Sequence, residues 1–242
     1  MTSLTALHAI NLNNEGVSQL EASAYGAASA SFSRALFVVK QALASGNFEA
    51  ESKPLDSAAD TEAVTPTCQF RKLHENESWM ETDEVELQEH IYDKEGFVFE
   101  ESILLLPQQV DSADYAFFVK LSFVHLYNLA LSHHLCALQA KTKHSEPFLR
   151  KSLALYELAY TIHVSEDIEI TILQSMAIVN NIGQIHRQLN NMDKSRECFE
   201  NLLSTLMFVK DSSCGEQDNE LDGFLSNVLS LMLNSSTPAP AA

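Results

Sequence analysis

A helical hairpin over 176–206 constrains this sequence more than any other feature. Two runs with apolar residues at helical spacing, 179–189 and 198–206, flank the dipeptide Asn190-Asn191. Asparagine tolerates left-handed backbone geometry, so this dipeptide predicts a tight turn between antiparallel helices. Gly183 lies inside the first run, where glycine costs about 1 kcal/mol relative to alanine. A glycine at that position predicts a close helix–helix contact.

The same pattern recurs at the start of the chain, where residues 4–45 predict a first helical hairpin. Gly16 precedes Ala28 by 12 residues, and Gly183 precedes Ser195 by the same number. A phenylalanine follows four residues later in both hairpins, at the positions Phe32 and Phe199. Two hairpins with one internal register, far apart in the chain, indicate a repeat architecture.

The region 112–210 predicts two further helical hairpins, of which the first is elongated. Ala130 and Ser152 hold the positions of the small residues in that hairpin, but they are 22 residues apart. Both helices of this hairpin are therefore predicted to be longer than a helical repeat of about 34 residues allows. Residues 219–234 predict a capping helix, and 235–242 predict a disordered tail.

Ile182-Gly183 with His186, followed by Ser195-x-x-x-Phe199, resembles the tetratricopeptide repeat. The chain is also similar to a group of uncharacterised tetratricopeptide-like proteins of algae. The resemblance implies an all-α fold, a single domain of antiparallel helical hairpins over 1–242 with a concave groove. It implies no enzymatic activity.

Two stretches depart from the helical pattern. Residues 46–84 are rich in Ser, Ala, Asp, Glu, Thr and Pro and predict a disordered acidic insert. Between residues 49 and 101 the chain carries 16 acidic and 4 basic side chains. In 85–106, two β-prone runs flank the turn signal Asp93-Lys94-Glu95-Gly96, which predicts a minor β-hairpin packed against the helices.

Asparagine recurs at one position of the repeat. Asn14, Asn128 and Asn181 each stand two residues before the small residue, and Asn227 continues the series. The resemblance implies that these side chains point into the groove, where an amide offers both donors and an acceptor to a peptide backbone. The alternative is that each amide binds a neighbouring helix or water.

Five further residues are predicted to line the groove, on the middle and third hairpins. They are Tyr127, His134, Asn180, Gln184 and Arg187. The carboxylate-binding groove of the resembled family uses several lysines and arginines on this face, whereas here only Arg187 is basic. A neutral or basic peptide or protein therefore fits better than an acidic one.

The histidines of the long middle helix raise the alternative of an enzyme of unknown type, or of a metal-binding protein. His125 and His133 are eight residues apart on nearly one face, and His134 follows. No carboxylate stands at metal-ligand spacing, and no nucleotide-binding or nucleophile motif occurs in the sequence. Because His133 occupies a core position of the repeat, we expect its side chain to be packed in the core. Because the catalytic and metal-binding motifs are lacking, we expect a non-catalytic protein with neither metal nor cofactor.

The formal net charge of −18 argues against nucleic acid or an anionic membrane as a direct partner. The first residues show no signal peptide, and the four cysteines form no paired motif, so we expect a protein of the cytoplasm or nucleus that is not secreted. The predicted function is a protein–protein interaction module or scaffold. Homo-oligomerisation through an end face is a further alternative.

Overall fold

The computed structural model describes residues 2–46, 66–73, 96–106, 113–140, 145–212 and 218–235. Within these residues the fold is all-α with one small antiparallel sheet, as predicted. The elements in chain order are α1 (Thr2–Glu21), α2 (Tyr25–Ser45), β1 (Cys68–Arg71), β2 (Ser102–Leu105), α3 (Tyr115–Ala140), α4 (Glu146–Ser165), α5 (Ile172–Gln188), α6 (Met192–Ser212) and α7 (Asp218–Ser235). A search of the described helices finds no candidate for a membrane span.

A single domain was predicted, whereas the described residues form two compact units. The first unit holds α1 to α4 and both strands, and each of its helices packs against the next along the chain. The second unit holds residues 96–99 and α5 to α7, with α6 packed against both α5 and α7. Each unit has its own candidate site.

Glycine–phenylalanine contacts set the register of two hairpins. A Cβ on Gly16 would lie 2.5 Å from the ring of Phe32, and a Cβ on Gly183 would lie 2.9 Å from the ring of Phe199. The predicted close helix–helix contact at Gly183 is therefore confirmed, and the same contact occurs in the first hairpin. The turn residue Asn190 has a positive φ of 60°, as the Asn190-Asn191 connection predicted.

The middle hairpin is the longest, as its stretched spacing predicted. Helix α3 has 26 residues, and most of its side chains are buried. The hydroxyl of Ser152 donates a hydrogen bond of 2.7 Å to the carbonyl of Ala130, so the two predicted small residues do face each other. Helix α3 is therefore the central element of the first unit.

The sheet corrects the predicted bounds of the β-hairpin and of the disordered insert. Strand β2 pairs with β1, in the register Cys68↔Leu105 to Arg71↔Ser102. The partner strand of β2 thus comes from the predicted disordered insert, and the predicted first strand of the hairpin at 85–92 lies outside the described residues. The ring of Phe70 in β1 packs edge-on against Tyr127, with 6.3 Å between the ring centres. The rest of the insert, the predicted turn before Gly96 and residues 236–242 lie outside the described residues.

Candidate functional site: two asparagine cages

Residues 96–106, which we call the bound segment, lie along the asparagines that the sequence singled out. Four of its residues, at positions 97, 99, 103 and 105, are each gripped by one asparagine side chain. The side-chain oxygen accepts from the backbone N–H, and the side-chain nitrogen donates to the backbone C=O of the same residue. The asparagines predicted to bind a partner's backbone therefore bind the backbone of the chain itself.

The first cage, in the first unit, consists of Asn13, Asn14 and Asn128. Asn128 grips Ile103 with both hydrogen bonds at 2.8 Å. Asn14 grips Leu105, accepting from its N–H at 3.1 Å and donating to its C=O at 2.7 Å. Asn13 joins the two, since it donates to the Ile103 carbonyl and to Asn14 and accepts from Asn128 at 2.9 Å.

The second cage, in the second unit, consists of Asn180, Asn181 and Asn227. Asn181 grips Phe99 with both hydrogen bonds at 2.9 Å. Asn227 grips Phe97, accepting from its N–H at 2.9 Å and donating to its C=O at 2.7 Å. Asn180 joins the two, since it donates to the Phe97 carbonyl and to Asn181 and accepts from Asn227 at 2.6 Å.

The two cages repeat one another bond for bond. Asn13 corresponds to Asn180, Asn14 to Asn181 and Asn128 to Asn227. The gripped residues repeat as well, because Ile103 and Leu105 follow Phe97 and Phe99 by six positions. The bound segment and the cages thus share one period, and each cage takes two residues of the form Φ-x-Φ, in which Φ is apolar.

A carboxamide is suited to this task because it presents one acceptor and two donors in a plane. Each gripping asparagine replaces one residue of a neighbouring β-strand, which would exchange the same pair of bonds. The orientation of each amide is fixed, because a peptide N–H can only donate. Five of the six cage asparagines are buried, so these bonds are made away from water. In β2, the backbone groups of the intervening residues pair with β1 on the opposite edge.

The bound segment also has a contact between the two gripped pairs. The Tyr127 hydroxyl donates a hydrogen bond of 3.0 Å to the carbonyl of Glu101. Tyr127 is fully buried, and burial raises the pKa of its phenol well above the usual value. The hydroxyl therefore remains protonated and available as a donor.

The side chains of the two gripped pairs lie in different surroundings. Ile103 and Leu105 are fully buried in the first unit. In the second unit, Phe97 contacts the ring of Phe224 edge-on at 5.4 Å, and Phe99 stacks on it at 5.4 Å. Phe97 is only half-buried. The side chains held at the second cage therefore pack on an aromatic ring, that of Phe224.

Two glycines accommodate the segment in the second unit. The ring of Phe97 lies where a Cβ on Gly223 would be, at 2.5 Å. Gly96 has a positive φ of 72°, and a Cβ there would lie 2.5 Å from the side chain of Gln184. The positive φ at position 96 thus favours glycine there.

The structure places the predicted groove residues as follows. Asn14, Asn128 and Asn181 do bind a peptide backbone, but that of the bound segment. Asn180 completes a cage, while Gln184 lies buried under Gly96. Tyr127 contacts the segment, His134 is fully buried beside Tyr156, and Arg187 is half-buried. Gln184 lies against the bound segment at Gly96, whereas the expectation that His134 is exposed to a partner is wrong, because this side chain is completely buried.

The sequence analysis did not identify Asn13 as a backbone-binding residue. Its signal was the doublet Asn13-Asn14, which recurs as Asn180-Asn181. The occupant of the groove was missed as well. Its signal was the apolar-x-apolar pattern of Phe97 and Phe99, which recurs six positions later at Ile103 and Leu105. The sequence analysis interpreted this stretch as a strand of the hairpin.

The three histidines of α3 lie in the core. Burial lowers the pKa of His125 and of His134 to about 3, and that of His133 to about 4. The ring of His133 packs on Phe148 at 6.2 Å, and its Nε2 lies 3.2 Å from the hydroxyl of Ser29. Among the described residues, no group of three or more His, Cys, Asp or Glu could hold a metal ion.

Comparison with known proteins gives no relative on which to base a function, since no family model, curated protein or solved structure matches the chain.

Proposed function

We propose that this chain is a non-catalytic protein–protein interaction module that captures an extended segment of a partner by its backbone. The observation that carries the proposal is the bidentate grip of four asparagines on alternate residues of the bound segment. Such a grip recognises main-chain atoms and leaves the selection of sequence to the pockets around the side chains. The tetratricopeptide-like arrangement of hairpins is part of this proposal.

The bound segment acts as a resident ligand in this proposal. Because it is tethered within the chain, it competes with any partner at an effective concentration of the order of millimolar. A partner must therefore match its Φ-x-Φ pattern, or the segment must be released first. The cages are neutral amides and select no charge, while the acidic chain as a whole favours a neutral or basic partner.

The proposal includes an intracellular location. Cys68 and Cys136 form no disulfide, as is usual in the reducing cytoplasm or nucleus.

A labelled peptide with the sequence of residues 96–106 tests the proposal. The full-length variant Phe97→Ser/Phe99→Ser weakens the resident segment without altering either cage, and its fold is checked by circular dichroism. We expect saturable binding by fluorescence anisotropy. N-methylation at the peptide residues equivalent to Phe97 and Phe99 should abolish it, because both N–H groups are lost, while N-methylation at Val98 should have a smaller effect.

The proposal fails if the unmodified peptide does not bind the folded variant at about 1 mM, the effective concentration that a tethered segment provides. It also fails if N-methylation at Val98 is as harmful as N-methylation at Phe97 and Phe99. In that case binding would not depend on the asparagine grip.

A further inference from the structure

We infer that the second cage is a recognition site for an extended partner segment of the form aromatic-x-aromatic, for which Phe97-Val98-Phe99 is the resident stand-in. This inference rests on the proposed function. It adds which unit makes the exchange and which side chains the partner carries.

The selectivity comes from the side chains that surround the cage. The Phe224 ring offers an edge-on contact to the first aromatic residue and a stacked contact to the second, both at 5.4 Å between ring centres. These are the two arrangements that aromatic pairs prefer. A leucine or isoleucine at either position would fill part of the volume but would make neither contact.

Gly223 adds to this selectivity, because it lets the first aromatic ring contact the backbone of α7. Three atoms of the Phe97 ring lie within 2.6 Å of the point where a Cβ on Gly223 would stand. The flat ring therefore lies directly on α7. A planar side chain uses this space fully, whereas a branched aliphatic side chain would project away from it.

Burial explains why the exchange begins in the second unit. Phe97 is half-buried and Phe99 is buried, so a competing ring reaches the position of Phe97 first. Ile103 and Leu105 are fully buried, and they belong to a strand that β1 pairs along its other edge. The first cage is therefore the anchor of the bound segment, and the second cage is the point of entry.

The chemistry of the partner follows from these contacts. It is an extended protein segment with aromatic side chains at two positions separated by one residue and with free N–H groups at both. Charge at the intervening residue is not specified by the cage, because the asparagines contact only the backbone.

The experiment compares two short peptides on the folded full-length variant Phe97→Ser/Phe99→Ser. One has the sequence of residues 96–100, GFVFE, and the other is its aliphatic analogue GLVLE. We expect GFVFE to bind about 4- to 100-fold more tightly, since each of the two aromatic contacts contributes roughly 2- to 10-fold. Adding Asn181→Ala or Gly223→Ala should weaken GFVFE about 10-fold, whereas the exposed Asn201→Ala should leave it unchanged.

Equal affinity for the two short peptides would overturn the inference, and so would failure of GFVFE to bind where the 96–106 peptide binds. In both cases the proposed function would stand. Failure of every peptide, including the long one, would overturn both proposals together.

Amide hydrogen exchange on the wild-type chain provides a second measurement if the serine variant does not fold. Excess GFVFE should accelerate exchange of the Phe97 and Phe99 amides at least about 3-fold and leave those of Ile103 and Leu105 unchanged. Equal acceleration at all four amides, or none at Phe97, would contradict the exchange in the second unit.

Discussion

The side-chain oxygen of Asn13 accepts a hydrogen bond of 2.9 Å from the side-chain nitrogen of Asn128, although 115 residues separate the two. This bond uses the second donor of Asn128, whose first donor holds the carbonyl of Ile103. The two asparagines therefore depend on each other, because loss of either leaves the other with an unsatisfied buried polar group. Energetic coupling between them follows.

A double-mutant cycle measures this coupling. We expect Asn128→Ala alone to lower the free energy of unfolding by about 3 kcal/mol, because the buried N–H of Ile103 loses its acceptor. The double variant Asn13→Ala/Asn128→Ala should be more stable than additivity requires, by about 1 kcal/mol. Urea denaturation provides both values.

The matched control is Asn11, which lies on α1 beside Asn13 but is exposed. The pair Asn11→Ala/Asn128→Ala should be additive. Additivity of the Asn13 cycle would show that the two amides act separately, contrary to the cage.

Glycine substitutions test the helix contacts that set the hairpin register. Gly16→Ala should lower the free energy of unfolding by about 1–3 kcal/mol, because its Cβ would lie 2.5 Å from the Phe32 ring. Gly26→Ala in α2 is the control, since nothing lies within 4 Å of its Cβ position. We expect that change to raise stability by about 0.5–1 kcal/mol through helix propensity. Thermal unfolding of the two variants should therefore move in opposite directions from the wild type.

These contacts show why the helical part of the fold was predictable. The 16-residue spacing from Gly16 to Phe32 recurs from Gly183 to Phe199, and each spacing spans one tight turn, so local pattern determines the contact. Asn14, Asn128 and Asn181 were predictable for the same reason, as each has a fixed place relative to a small residue. Local pattern therefore indicated the hairpins and the recurrence of these asparagines, whereas their backbone-binding role was implied by the resemblance.

The strand pairing and the groove occupant were not predictable in this way. Strand β1 joins residues such as Phe70 and Ile103 across 33 positions, and four residues of alternating burial carry too little signal to be recognised inside an acidic stretch. Nor does an asparagine that can bind any backbone indicate which backbone it binds. The choice between a partner and the chain itself depends on tertiary proximity, which periodicity does not encode.

Tyr127 provides a test of the contact between the two gripped pairs. Tyr127→Phe removes the donor to the Glu101 carbonyl and keeps the ring that packs on Phe70 and Tyr156. We expect the free energy of unfolding to fall by about 1–2 kcal/mol, the cost of one buried hydrogen bond. Tyr160→Phe is the control, because that side chain is exposed, and it should change stability by less than about 0.5 kcal/mol. Equal effects of the two substitutions in urea denaturation would contradict the role of the Tyr127 hydroxyl.

The buried histidines predict a loss of stability in mild acid. The folded state keeps His125 and His134 neutral down to a pKa of about 3 and His133 down to about 4, whereas the unfolded chain takes up protons below about pH 6.5. The unfolded state therefore binds more protons between these values, and the free energy of unfolding falls as the pH falls through that window. From pH 6 to pH 5 we expect each histidine to contribute a loss of about 1 kcal/mol.

His134→Phe isolates one of these contributions. Both ring nitrogens of His134 lack a hydrogen-bond partner among the described residues, so a phenylalanine beside Tyr156 should be tolerated at pH 8, where all three histidines are neutral in both states. Urea denaturation at pH 8, 6 and 5 should show that the variant loses about 1 kcal/mol less than the wild type between pH 6 and 5. The carboxylates titrate in both proteins and cancel in this comparison. Parallel losses in the two proteins would contradict the prediction, because they would mean that folding does not lower the pKa of His134.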